Sequence, residues 1–262
     1  MRLKRFLAIS GILTLAFGSG GRLTSYPQQR VSQDREVAGA IDDLWSANDE
    51  ERQAAKEKLI QLGQASVQPL IDLLQDIITN PTARYLRGKE MEASELDERL
   101  RSLPKESRRE AVRLVNQLGE LVVNWRLKSD ICELLGRLRA EAAIPVLMKM
   151  METEDSIGSE ERMNPAMKAL VRIGPVIFPR IIEAIETAES RAAATKFGFD
   201  HTPSEFFIRA ETVKIQARAA MILGAMGDTR ALPILEELLN KNRDEELLRY
   251  VKEAIRQIWK SN

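Results

Sequence analysis

Few residues of this chain have the types and spacing that metal binding or catalysis requires. The 262 residues include one histidine, His201, and one cysteine, Cys132. A zinc site needs several Cys or His ligands at defined spacing, and these two residues lie far apart in the sequence. Cys132 lies beside an apolar stripe, so we interpret it as a small buried side chain.

Motifs for nucleophilic or phosphate chemistry are also missing from the sequence. No G-x-S-x-G nucleophile motif occurs. The glycine-rich run at residues 18–21 follows no predicted strand, which a phosphate-binding loop would need. The sequence therefore predicts no catalytic residue, no cofactor and no bound metal, and we interpret the protein as a non-enzyme.

One segment is rich in aromatic rings, although the chain is only 5% aromatic. It lies in a predicted insertion at about residues 187–210, and long connections of this kind are often functional. The candidate interaction loop consists of Phe197, Phe199, His201, Phe206 and Phe207. The alternative interpretation is a flap whose rings pack back onto the body of the protein.

The composition of the chain restricts the class of protein to which it can belong. The chain has 39 basic and 39 acidic side chains and 44% apolar residues. This balance disfavours a nucleic-acid-binding protein, which usually has a basic excess, and it disfavours a disordered chain. We therefore expect a folded helical protein whose partner is another protein.

The first twenty residues have the pattern of a secretory signal peptide. Arg2, Lys4 and Arg5 precede a 12-residue apolar run at 6–17, and the small residues at 18–21 follow. The run is too short to span a bilayer. We expect cleavage near Gly20 and a periplasmic or extracellular mature protein without a stable membrane span. The alternative is an uncleaved anchor or a chance apolar start.

The mature chain would begin with a polar segment. Removal of residues 1–20 leaves 36 basic and 39 acidic side chains, a formal net charge of −3. Residues 21–36 contain no apolar period, so they are predicted to form a flexible linker.

From residue 37 onward, apolar residues recur at i, i+3, i+4 and i+7, which is typical of amphipathic helices. Such stripes begin at Val37, Ala111, Ile131, Ala166, Ala219 and Val251. Four units also share a glycine near the end of one helix and a proline near the start of the next. These pairs are Gly63 and Pro69, Gly136 and Pro145, Gly174 and Pro179, and Gly224 and Pro233. Glycine ends helices and proline is tolerated in a first turn, so each unit is predicted to be two helices joined by a tight turn.

Two segments resemble a HEAT repeat: residues 48–63 and residues 216–228, where Asp228 matches the turn aspartate of the family. The closest type is the short bacterial HEAT-like repeat of the phycobilin lyases. The resemblance implies an all-α solenoid of about four helix pairs plus capping helices over residues 37–262, with insertions at about 76–124 and 187–210. A tetratricopeptide array would need a regular 34-residue spacing, which the four prolines lack.

The resemblance specifies a fold better than a function. The leading interpretation is an exported scaffold that binds a partner protein on its solenoid surface. One alternative is a chromophore lyase or chaperone-like relative of the phycobilin branch. Another is a HEAT-like enzyme that acts on nucleic acid, which the net charge of −3 disfavours.

Within the scaffold interpretation, we expect the partner to contact the second helices of the pairs, and the alternative is that their polar side chains are only solvated. Their polar members are Gln68, Asp72, Lys149, Glu152, Arg180, Glu183, Glu236 and Asn240.

Overall fold

Helices are the regular elements that position every side chain described below. The computed structural model describes residues 26–46, 48–79, 90–104, 107, 110–114, 117, 123–153, 163–194 and 204–262. Within these ranges every regular element is helical and no strand occurs, so the predicted all-α class is confirmed.

The α-helices are numbered here in chain order. They are α1 (Tyr26–Asp43), α2 (Asp49–Leu62), α3 (Gln64–Thr79), α4 (Glu90–Ser102), α5 (Val123–Arg137), α6 (Ile144–Thr153), α7 (Pro165–Ile173), α8 (Phe178–Glu186), α9 (Ala188–Ala194), α10 (Glu205–Met226), α11 (Leu232–Lys241) and α12 (Glu245–Ser261). Short 3-10 turns at Glu141–Ala143, Pro175–Ile177 and Thr229–Ala231 lead directly into α6, α8 and α11.

Four helix pairs correspond to the predicted units. We call α2, α5, α7 and α10 the A-helices and α3, α6, α8 and α11 the B-helices. The A-helices contact one another in order, and α12 extends this layer beyond α10. A continuous core follows the layer through Leu59, Leu134, Leu170, Leu223 and Ile258, each with 0% of its surface exposed. The predicted stacked solenoid is thereby confirmed, because each pair buries its apolar faces against its neighbours.

Polar side chains cap the N-termini of several of these helices. The side-chain oxygen of Asn48 accepts a hydrogen bond from the backbone N–H of Glu50, and that of Asn164 accepts one from Met167, both at 2.9 Å. Asp244 caps α12 in the same way. These caps satisfy backbone donors that the first helical turn leaves without a partner.

Two of the four predicted helix-ending glycines have a different role. Gly63 and Gly174 have positive φ angles of 57° and 96° where α2 and α7 end. Gly136 and Gly224, in contrast, lie inside α5 and α10. An added Cβ on Gly224 would lie 2.7 Å from Ala254 Cα, and one on Gly136 would lie 3.0 Å from Ala169 Cα. Both glycines lie near the end of a helix as predicted, but they do not terminate it, and glycine there permits close packing against the next helix.

The proline prediction is confirmed in three units. Pro145, Pro179 and Pro233 are each the second residue of a B-helix. Pro69 instead lies inside α3, because that helix begins directly after Gly63 without a separate 3-10 turn.

The predicted linker at 21–36 is wrong for residues 26–36, which form the first part of α1. Val37 and Ala40 pack the rest of this helix into the core, and Leu44 packs there directly after the helix ends. A packed segment supplies the costly nucleus, and extending a helix from it is then favourable even without an apolar period. A 2.7 Å ion pair between Glu36 and Lys58 of α2 adds a contact on this extension.

Candidate functional site

An open groove lies on the B-helix side of the solenoid, between α6 and the α8–α9 segment. Its volume is about 290 Å³. We call it the B-face groove, and it is lined by Ile144, Pro145, Met148, Lys149, Glu152, Arg180, Glu183 and Arg191.

The helical period of α6 places its contribution to the groove. Val146, Leu147, Met150 and Met151 are turned into the core, with exposures of 7% or less. Pro145, Lys149 and Glu152 therefore project from the opposite face, where they form one wall. Met148 is 7% exposed and gives this wall an apolar base.

A chain of alternating charges crosses the groove. Arg180 donates to Glu183 at 3.0 Å, one turn along α8. Arg191 on α9 lies 3.8 Å from the other Glu183 oxygen and also pairs with Glu152 on α6. Its Nε donates to the Thr187 hydroxyl at 2.8 Å, which fixes the guanidinium between the two carboxylates. Three helices are thus linked by one network of ion pairs.

Glu152 is the most enclosed carboxylate of this network. Burial raises the pKa of Glu152 above its usual range, and the neighbouring Arg191 guanidinium only partly opposes that effect. Arg191 also lies 3.8 Å from a second carboxylate, that of Glu183.

A buried arginine anchors the groove from behind. Arg218 of α10 is 8% exposed. Its Nη1 donates to the backbone carbonyl of Met151 at 2.6 Å and to that of Glu152 at 3.2 Å. These carbonyls belong to the last turn of α6, where acceptors have no intrahelical partner. The end of α6, in the second unit, is therefore held against α10, in the fourth unit.

The groove brings together four of the eight predicted B-helix residues: Lys149, Glu152, Arg180 and Glu183. The others lie elsewhere on the B-helices. Gln68 donates to Asp72 at 2.8 Å on α3, and Glu236 and Asn240 are exposed on α11. Arg191, which links the two walls, was missed because α9 lies in a predicted insertion and its partner Glu152 is 39 positions away.

The structure describes two of the five residues of the predicted aromatic loop. Phe197, Phe199 and His201 lie outside the described residues. Phe206 and Phe207 lie in the first turn of α10, where the Ser204 hydroxyl accepts a hydrogen bond from the Phe207 N–H at 3.3 Å. Phe206 is 83% exposed, whereas Phe207 is half-buried. Neither ring lines the B-face groove, so the candidate interaction loop stays a prediction.

Few features of the described residues would support chemistry. In those ranges no group of three or more His, Cys, Asp or Glu side chains is arranged to hold a metal ion. Cys132 is buried as predicted, and its Sγ lies 3.6 Å from Met150 Sδ. No helix in the same ranges combines the length and apolarity needed to cross a bilayer.

The repeat that ends with α11 matches a known family. Residues 215–241 match the family model of the PBS lyase HEAT-like repeat. The match covers the second half of α10, the 3-10 turn with Asp228, and α11. No curated protein matches the chain. The chain therefore resembles HEAT-repeat proteins, as the sequence pattern predicted.

Proposed function

We propose that this protein is a scaffold that binds a partner protein in the B-face groove. The observation that carries the proposal is the network of charges there, in which Arg180, Glu183, Arg191 and Glu152 alternate across three helices. Such a surface can exchange ion pairs with a partner while the apolar base at Met148 excludes water.

The groove offers binding groups of two kinds. Lys149 and Arg180 are exposed cations at the rim, with 66% of the Arg180 side chain accessible. Ile144 and Pro145 add apolar surface beside them. We infer a partner segment that places a carboxylate near the rim and an aliphatic side chain against the base.

Charge reversal tests this proposal. In affinity capture from the envelope fraction, the double variant Lys149→Glu/Arg180→Glu should bind less partner than the wild type does, by a factor of about ten or more. The matched control is Lys168→Glu/Arg172→Glu, which makes the same charge change on exposed residues of α7 in the A layer. Equal loss of partner in both variants would contradict a role of the groove.

We also propose that the protein acts after export. The support is the basic, apolar and small-residue order of residues 1–21. Mass spectrometry of the protein from fractionated cells tests this proposal. A first residue near 21 in the envelope fraction supports it, and an intact chain in the cytosol refutes it.

A second candidate function follows from the match to the PBS lyase HEAT-like repeat. In that case the protein would attach a bilin chromophore to an acceptor protein, or help another protein to do so. Co-expression with a bilin source and an acceptor gives the test. Covalent bilin on the acceptor would favour the lyase over the scaffold.

A further inference from the structure

An ion pair between Glu152 on α6 and Arg191 on α9 spans the B-face groove from one wall to the other. Both residues belong to the lining of the groove. The Arg191 side chain is 31% exposed and that of Glu152 is 18% exposed. The guanidinium is therefore accessible from the groove, although a carboxylate of the chain itself is already bound to it.

The walls of the groove do not depend on this ion pair. At the end of α6, the backbone carbonyls of Met151 and Glu152 accept hydrogen bonds from Arg218. On the other wall, Ala188 and Ala192 are 0% exposed and pack α9 against α10. The Glu152 side chain can therefore leave Arg191 without releasing α6 or α9 from the fold.

The Arg191 guanidinium is also oriented independently of Glu152. Its Nε donates to the Thr187 hydroxyl at 2.8 Å, and this hydroxyl donates to the backbone carbonyl of Glu183 at 2.7 Å. All three residues belong to the α8–α9 segment. An arginine whose planar fork is fixed in advance loses less side-chain entropy when it binds a carboxylate.

The charges of the groove are suited to one further carboxylate. Its lining has three cations, Lys149, Arg180 and Arg191, against two carboxylates, Glu152 and Glu183, which leaves an excess of one positive charge. Burial raises the pKa of Glu152, because its ionised form is less well solvated there than in water. A carboxylate that carries this cost is displaced more easily than a fully solvated one.

We infer that Arg191 binds a glutamate side chain of the partner protein, and that Glu152 takes this place in the unbound protein. The inference rests on the proposed function and names the partner group that the groove binds. The rim cations attract the acidic residue, and its carboxylate then replaces that of Glu152 on the guanidinium. A glutamate matches this place because the side chain that already fills it is a glutamate, and an aliphatic neighbour packs against Met148 and Ile144.

NMR titration of the full-length protein with three acetylated dipeptides tests the inference. Acetyl-Leu-Glu-amide offers a glutamate side chain beside an aliphatic residue, and acetyl-Leu-Gln-amide is its neutral counterpart. Acetyl-Gln-Leu with a free C-terminal carboxylate offers a chain terminus instead. The glutamate peptide should bind weakly and shift the methyl signal of Met148 at the base of the groove. The neutral peptide should bind at least about tenfold less tightly.

Variants of the ion pair separate binding from a purely structural role. Glu152→Gln removes the competing charge, so the glutamate peptide should bind at least about threefold more tightly. Arg191→Gln should weaken binding at least about tenfold, and Arg191→Lys by less, because lysine keeps the charge without the fork. Glu236→Gln is the matched control, since it makes the same change at an exposed residue of α11 outside the groove, and it should leave binding unchanged.

Circular dichroism melts show which variants are folded. The inference is overturned if Glu152→Gln loses stability without binding the peptide more tightly, because the ion pair would then only clasp two helices. Unchanged binding in folded Arg191→Gln would overturn it too, as would tighter binding of the chain-terminus peptide than of the glutamate peptide. No binding of the glutamate peptide to either the wild type or Glu152→Gln would have the same consequence.

The scaffold proposal is tested separately. Lys149→Glu/Arg180→Glu can abolish capture of the partner even when Glu152→Gln and Arg191→Gln change nothing. In that case the groove remains the binding site, and only the role of the ion pair is refuted.

Discussion

Arg139 has a positive φ angle at a place where the other units have a glycine with positive φ. Its φ angle is 48°, whereas Gly63, Gly174 and Gly227 have φ angles of 57°, 96° and 67° at the ends of the other A-helices. A Cβ in this region clashes with the backbone and costs about 1 kcal/mol or more. The second unit therefore carries local strain at an exposed arginine.

Arg139→Gly should stabilise the protein by about 1 kcal/mol, because it removes this strain. Thermal melting should show a rise of about 2–4 °C. Arg139→Ala is the control, since it removes the side chain but keeps the Cβ. A rise of the same size in the alanine variant would show that the arginine side chain, and not the backbone conformation, caused the difference.

Asp228 lies at the 3-10 turn between the two helices of the last unit, α10 and α11. It accepts hydrogen bonds from the backbone N–H of Arg230 at 2.9 Å and from its Nε at 3.0 Å. The guanidinium of Arg230 also lies 4.6 Å from the ring centre of Phe178 in the preceding unit. These hydrogen bonds lower the pKa of Asp228 below its usual range.

Because its folded pKa is lowered, Asp228 stabilises the fold above its unfolded pKa of about 3.9 and loses that contribution as the pH falls further. Asp228→Asn keeps a side-chain acceptor for the cap but removes the charge. In urea titrations the wild type should be the more stable protein above about pH 5. The difference should shrink below about pH 3.9, and a gap that is constant with pH would contradict the role of the charge.

At the scale of whole elements, glycines set how closely neighbouring A-helices approach. Gly224 of α10 faces α12, where an added Cβ would lie 2.7 Å from Ala254 Cα and 2.9 Å from its Cβ. Backbone atoms cannot move aside as a flexible side chain does, so the helices would have to separate.

Gly224→Ala should therefore destabilise the protein by about 1–3 kcal/mol, despite the higher helix propensity of alanine. Gly39→Ala on α1 is the matched control, because nothing lies within 4 Å of its added Cβ. That variant should gain about 0.5–1 kcal/mol. Chemical denaturation measures both, and shifts of the same sign would refute the packing role of Gly224.

A buried ion-pair network joins the first two units. Lys56 of α2, with a 6% exposed side chain, donates to Asp130 of α5 at 3.1 Å and also to Glu133. Burial lowers the pKa of Lys56, but the hydrogen bonds to Glu133 and Asp130 outweigh it and raise the pKa overall. Arg52 lies 3.7 Å from the other Asp130 oxygen.

Lys56→Met should cost about 3 kcal/mol, because it leaves two partly buried carboxylates with weaker compensation. Lys58→Met, at a 47% exposed residue on the same helix that pairs with Glu36, should cost no more than about 1 kcal/mol. Equal losses in denaturant titrations would contradict the importance of the buried network.

For the molecule as a whole, the sequence was sufficient to predict the helix pairs and their order. Apolar stripes repeat locally, so residues such as Leu134 and Leu223 could be placed in the core without coordinates. Periodicity also predicted that Lys149 and Glu152 face away from the core. The roles of Gly136 and Gly224 could not be predicted, because a close approach depends on the neighbouring helix.

The groove was only partly predictable for the same reason. The residues of α6 and α8 follow from helical period, but the pairing of Arg191 with Glu152 depends on how α9 folds back onto α6. The anchoring of α6 by Arg218 spans 67 positions and leaves no local signal in the sequence. Long-range polar contacts of this kind became visible only in the structure.

Site-specific photo-crosslinking in cells of the source organism tests the scaffold proposal most directly. A photoreactive amino acid replaces Lys149 or Arg180 in the B-face groove, or Lys168 in the A layer as the control. We predict that both groove positions give an adduct with the same partner protein and that the Lys168 position gives none. An adduct from Lys168 without one from either groove position would contradict the assignment of the B-face groove as the binding site.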